Sequence, residues 1–189
     1  MSKKEKSRSN TLTSYVAFLR GINNIGRKTV QMHELKRIFE TNGFQNVKTI
    51  LASGNIIFET TMSETSTLIT EIQEQLEKKL GYKVKIILRT LSELRSLVKL
   101  NPFSKIKITP ETKLLLTFLS EKPISSLKAP YKSPDNDFMI IRIIGNEIYS
   151  VVYLLPNKRP YRILSFLEKE FGDRITNRNW NTILKIVNA

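Results

Sequence analysis

The chain has 189 residues, 40% of them hydrophobic and 25% charged, enough to build one sizeable domain or two small ones with a real core. It carries no cysteine and a single histidine, His33, so disulfides, thiolate nucleophiles and zinc–thiolate sites drop out together. The formal net charge is +14, with +6 from residues 1–94 and +8 from residues 95–189. A spread excess of this size attracts phosphates, nucleic acid or acidic surfaces, and it also serves solubility alone.

Residues 1–13 are polar and charged apart from Met1 and Leu12, and read as a disordered basic tail with no apolar stretch behind it to make a secretory signal. No apolar run reaches the ~18 residues of a membrane span, so a cytoplasmic protein without a membrane partner is expected. The apolar run 15–20 predicts a strand, 21–28 a glycine-containing loop, and 31–42 a helix stopped by Gly43. Met32, Leu35, Ile38 and Phe39 form the apolar face of that helix, which turns His33 to solvent and away from any catalytic triad. Short β-branched runs at 47–51 and 55–59 flank Ala52-Ser53-Gly54, a hairpin or bulged turn. An amphipathic helix follows over 65–80, ended by Gly81, and then a strand over 83–88. This order, β-α-β-β-α-β, is that of a ferredoxin-like unit.

A helix over 91–100 and a proline-punctuated linker, 101–112, lead to a second round of the same order. It comprises a strand at 113–119, a short helix or turn at 124–128, and a hairpin of 138–143 with 147–154 around Gly145-Asn146. A helix at 161–171, a last short strand at 174–176 and a closing helix at 179–187 complete it. The expected fold is therefore α+β, with two ferredoxin-like (βαββαβ) subdomains packed together and an extra C-terminal helix. Its parts are a tail 1–13, a first subdomain with connecting helix 14–100, a linker 101–112 and a second subdomain 113–189.

Polar motifs stand where apolar elements begin or end: Arg20-Gly21-Ile22-Asn23, Ser53-Gly54-Asn55 and Arg178-Asn179-Trp180-Asn181. A core has no use for such groups, whereas the mouth of a binding site does. The loop 21–28 nearly spells a P-loop, but Arg27 intervenes between Gly26 and the Lys28-Thr29 pair and breaks the geometry by which the lysine reaches the outer phosphates. Backbone N–H groups at the start of the next helix, with Arg20, Arg27 and Lys28, can still hold an anion; an ordinary βα loop explains the same residues. An RNA-recognition sheet needs stacking aromatics, and the first and third strands offer only Tyr15 and Phe58, which suit a core equally. Lys158-Arg159-Pro160-Tyr161-Arg162 is the densest basic–aromatic cluster and reads as a solvated loop before a helix. Trp180, Ile183, Leu184 and Val187 share one helical face, so Trp180 is expected in the core, with Thr176 or Asn177 as the helix cap. An arginine beside a helix N-terminus opposes the macrodipole, so Arg178 points to an acidic partner or a bound anion.

The run Phe18-Leu19-Arg20-Gly21-Ile22-Asn23 with Gly26, Met32 and Leu35, together with Gly43-Phe44, Ser53-Gly54-Asn55, Phe58 and Asn101-Pro102-Phe103, resembles the bacterial family known as domain of unknown function 1697. So does the ending Thr176-Asn177-Arg178-Asn179-Trp180-Asn181-Thr182, and the resemblance spans about residues 15–187. It implies duplicated ferredoxin-like subdomains and singles out Arg20, Asn23, Ser53, Gly54, Asn55, Arg178, Asn179 and Asn181, but brings no function. Where the family usually shows Val-Gly-Gly this chain has Asn24-Ile25-Gly26, and where it shows Gln this chain has Ala52.

The molecular function is thus open, and the expectation is an anion-binding protein whose cleft is lined by Arg20, Asn23, Ser53, Asn55 and Arg178, with Gly54, Asn179 and Asn181 completing the site. Its partner would be a phosphate-bearing small molecule or weakly bound nucleic acid, with no metal and no cofactor. Two alternatives stand beside it. One is an enzyme on a phosphate- or carboxylate-bearing molecule, in which Glu59, a tyrosine or a lysine must serve as base. The other is a protein-interaction module whose motifs are structural.

Overall fold

The computed structural model describes residues 8–22, 29–122, 125–154 and 162–189, with backbone alone for 8–10 and 162. The chain divides between Arg95 and Ser96 into two compact units. The first contains β1 (Arg8–Arg20), α1 (Met32–Thr41), β2 (Gln45–Ile50), β3 (Asn55–Met62), α2 (Thr65–Leu80) and β4 (Lys85–Thr90), and α3 (Leu91–Lys99) crosses the division. Its strands make one antiparallel sheet in the order β2-β3-β1-β4.

Tyr15, Ala17 and Leu19 of β1 lie with Ile56 and Phe58 of β3 and Ile86 and Leu88 of β4 in one core, closed by Leu35, Ile38 and Phe39 of α1 and Leu68, Ile72 and Leu76 of α2. The helical residues recur three or four positions apart, so one stripe of each helix meets the sheet. Val16 and Phe18 point to the other face, where they are fully buried with Ile57 and Ile87. Burial on both faces explains why β1 reads as a continuous apolar run instead of an alternating one. The strand also begins earlier than its apolar stretch. Arg8 pairs with Met62 and Thr13 with Thr60, so residues 8–13, expected as tail, extend β1. Their side chains gave no sign of this because the ladder there is made by backbone groups, which polar residues supply as readily as apolar ones.

The second unit contains β5 (Thr112–Leu119), β6 (Tyr131–Lys132), β7 (Phe138–Ile144), β8 (Glu147–Tyr153), α4 (Arg162–Phe171), β9 (Ile175–Asn179) and α5 (Trp180–Val187). Its antiparallel sheet has the order β6-β7-β8-β5-β9. Ile163 and Leu167 of α4 pack on Leu115, Leu119, Ile140, Ile148, Val152 and Ile175. Residues 125–128, expected as a short helix or turn, take no regular structure. Ser125 Oγ accepts from the Leu127 N–H at 3.0 Å, offering the backbone a local alternative to a helix, and Pro130 keeps the residue before it extended.

The closing helix differs from expectation at its start. β9 runs to Asn179, and Asn179 itself caps α5: its backbone is extended and its side-chain oxygen accepts from the Asn181 N–H at 2.9 Å. Thr176 and Asn177 pair instead with Phe118 and Thr117 of β5, so neither is free to cap. Asn101-Pro102-Phe103 forms a turn, with the Ser104 N–H on the Asn101 carbonyl at 3.1 Å, that drives Phe103 between two other rings. The Phe103 ring lies 6.0 Å from Tyr149 and 5.1 Å from Trp180, edge-on to both. All three are buried, and edge-to-face pairs add to what their area contributes. Trp180→Ala should therefore lower stability by about 3–5 kcal/mol in urea denaturation followed by circular dichroism.

Candidate functional site

The end of β1 meets the β2–β3 turn through one backbone bond, from the Leu19 N–H to the Gly54 carbonyl at 2.8 Å. Gly54 has φ +72°, and a Cβ there would stand 2.6 Å from Ile22 Cδ1, 2.9 Å from Ile22 Cγ1 and 3.0 Å from Leu19 Cβ. Conformation and space both demand glycine. Asn55 is fully buried; its Nδ2 donates to the Ile50 carbonyl at 2.8 Å and to Ser53 Oγ at 3.0 Å, tying the last residue of β2 to the first of β3 across the turn. Ser53-Gly54-Asn55 is thus a turn built to hold the end of β1. Ser53 remains exposed at its tip.

Arg20, half-buried, is the last residue of β1 and stands directly opposite Lys85 of β4. Cross-strand partners share a face, so two cations adjoin there. Gly21, at φ +74°, then turns the chain toward the loop with Asn23, Arg27 and Lys28, which lie outside the described residues. Arg20, Ser53, Gly54 and Asn55 are therefore brought to one end of the first unit's sheet. Lys85 belongs with them and was not anticipated; only the register reveals it.

Arg178, Asn179 and Asn181 follow one another in the second unit. Arg178 lies on β9, upstream of the helix it was expected to adjoin, and is buried; its Nη1 donates to Thr176 Oγ1 at 2.7 Å and to the Asn177 carbonyl at 2.8 Å. Burial pulls its pKa down to about 10, which leaves it cationic at neutral pH. Leu116 of β5 pairs with Arg178 on one side and Tyr149 on the other, so the guanidinium and the phenol sit on the same sheet face. Among the described residues the buried Tyr149 hydroxyl has no hydrogen-bond partner, and burial, with Glu147 nearby, pushes its pKa up. Asn179 is occupied in capping α5, and Asn181 is exposed.

His33 is exposed, as its helical position requires. Tyr15 and Phe58, the two candidates for stacking bases, are buried on the helix-covered side with their rings 5.8 Å apart, so they are core and not a platform. Glu59 accepts from the Asn46 amide and from Ser14 Oγ, and these bonds hold its carboxyl below the ordinary glutamate range. A general base at neutral pH needs the opposite shift. Residues 158–161 of the basic–aromatic cluster lie outside the described residues, and Arg162 opens α4.

The chain belongs to the family described as protein of unknown function DUF1697, whose model matches residues 12–149. A comparison with curated proteins finds no match. The solved structure of the conserved bacterial protein SP0830 from Streptococcus pneumoniae is similar over 94% of this chain and 98% of that one, at 18% identity and a TM-score of 0.66. At that identity the likeness is one of fold: α+β with two antiparallel sheets. No described helix is long and apolar enough to cross a membrane.

Gly54→Ala should destabilise by roughly 2–4 kcal/mol, as a left-handed backbone strain and an overpacked contact add. Ser53→Ala, one residue away, should stay within about 1 kcal/mol, and thermal denaturation of the two separates packing from surface chemistry. Asn179→Ala should cost about 1 kcal/mol for its cap, measured the same way.

Proposed function

We propose that the protein binds a phosphate-bearing ligand at the end of its first sheet, through Arg20, Lys85 and Ser53, with Asn23 and the cations of the following loop. The observation that carries this reading is the register of Arg20 on Lys85. Two cations side by side on one sheet face can offer a single anion two charge-assisted contacts at once. Ser53 adds a hydroxyl on the adjoining turn. Asn55 and Gly54 support the site by fixing that turn, and Arg178, with Asn179 and Asn181, belongs to the same reading as a second cationic group.

Binding ranks ahead of catalysis because Glu59 is held as a weak base. A small phosphorylated molecule ranks ahead of nucleic acid because Tyr15 and Phe58 are spent in the core. We also read both units as ferredoxin-like. The order β4-β1-β3-β2 supports this for the first unit, and β9-β5-β8-β7, with β6 added at the edge, for the second. A cytoplasmic setting, where phosphorylated metabolites are held, belongs to the same reading.

Pyrophosphate or a nucleoside diphosphate should raise the melting temperature in a concentration-dependent way, and Arg20→Ala should abolish that rise. For a generic DNA duplex the log–log salt slope should be shallow, since each phosphate neutralised contributes about −0.9. A second reading, an interaction module with structural motifs, is favoured by the turn and cap roles of Gly54, Asn55 and Asn179. An unchanged ligand response in Arg20→Ala would support it.

A further inference from the structure

A surface groove of about 530 Å³ in the first unit is lined by Thr29, Val30 and one side of α1, together with Lys79, Leu80 and Tyr82 at the end of α2 and beyond it. The α1 residues are His33, Glu34, Arg37, Ile38 and Thr41. His33, Arg37 and Thr41 stand four residues apart, so they form one row along the helix. We propose that this groove is a binding site for a phosphate monoester with a flat apolar ester group, its phosphate held by Arg37, Lys79 and His33.

The charge argues for an anion. Among the described residues the side chains of Arg37, Lys79 and His33 have neither a hydrogen bond nor an ion pair. The acids nearest them on α1 each already have a partner. Glu34 Oε2 accepts from the Gln31 N–H at 3.0 Å in the capping box of α1, and Glu40 pairs with Lys36. Three solvated basic side chains line one groove against the single carboxylate of Glu34, and charge-assisted bonds to a phosphate are the strongest they can make.

The size argues for more than a bare anion. About 530 Å³ falls in the range of small-molecule sites, far above what inorganic phosphate fills. Ile38 is buried, and Leu80 and Tyr82 are half-buried, so an apolar floor adjoins the cationic row. A flat ester group laid on Tyr82 and Leu80 would bury area that inorganic phosphate cannot. The groove shares no residue with the Arg20 rim, so either can fail while the other stands.

The test is calorimetric titration of the full chain with phenyl phosphate and, in parallel, inorganic phosphate. Phenyl phosphate should bind, and more tightly than inorganic phosphate. Arg37→Ala and Lys79→Ala are exposed substitutions that leave the core untouched, and each should weaken binding roughly tenfold, the loss of one charge-assisted bond. Tyr82→Ala should weaken phenyl phosphate while sparing inorganic phosphate. The proposal is overturned if the wild-type chain shows no heat with phenyl phosphate, or if both groove cations can be removed without loss. It is equally overturned if Arg20→Ala alone abolishes binding, which would move the ligand to the sheet end.

Discussion

The first unit depends on the absence of a single methyl group. Leu19 and Ile22 close over Gly54 so tightly that no Cβ fits, and this closeness lets the Leu19 N–H reach the Gly54 carbonyl. That bond carries the pairing of the central strand past Phe18 and Asn55, toward the point where the chain turns into the loop after Arg20. Asn55 fixes the partner in the contact, because its buried amide spans the turn from Ile50 to Ser53. A buried amide that satisfies its donors within five residues costs little and positions much. The polar character of the motif is thus largely architectural, and its chemical output is the placement of what lies beside it, Arg20 and the tip of the turn.

The second unit solves the same problem with aromatic rings. Phe103, delivered by a tight Asn-Pro turn, is wedged between Tyr149 and Trp180, so a segment before the first strand of the unit is joined to a central strand and to the closing helix. The capping role of Asn179 follows from this arrangement. A strand that must turn into a helix within one residue, with Trp180 already committed to the core, needs its first free N–H groups met by the residue just before it. Arg178 sits one step further back, where strand pairing points it to the buried face. The cost of that burial is offset by Thr176 and the Asn177 carbonyl.

Much of this was legible in the residues. The strand and helix periods of the first unit show in β1, α1, α2 and the hairpin around Ser53-Gly54, because each is bounded by a glycine or by a change from period two to period 3.6. What stayed hidden has specific physical reasons. The early start of β1 rests on backbone pairing that polar side chains do not advertise. The missing helix near residue 127 reflects a competition between a serine hydroxyl and the helical backbone that propensity does not resolve. The Arg20–Lys85 juxtaposition is a matter of register, and register between strands separated by two helices cannot be read along the chain. The row His33, Arg37, Thr41 was readable as a helical stripe, but nothing in the sequence says that Lys79 and Tyr82 face it.

The distribution of cations in the first unit follows from its topology. β1 ends where β4 begins, because the two are antiparallel neighbours, and α2 must return to that same end to feed β4. The loop after β1 enters α1 there as well. Arg20, Lys79 and Lys85 therefore lie toward the same end of the unit by chain connectivity, although they look evenly scattered in the sequence. A spread charge along a chain is consequently no evidence of a spread charge on the fold, and an even +6 and +8 between the halves does not reduce to solubility. Glu34, in the first turn of α1, spends one carboxylate oxygen on the capping of that helix and keeps its charge. Cations brought to one end of the unit set a local positive field there, the property that the proposed anion site would use.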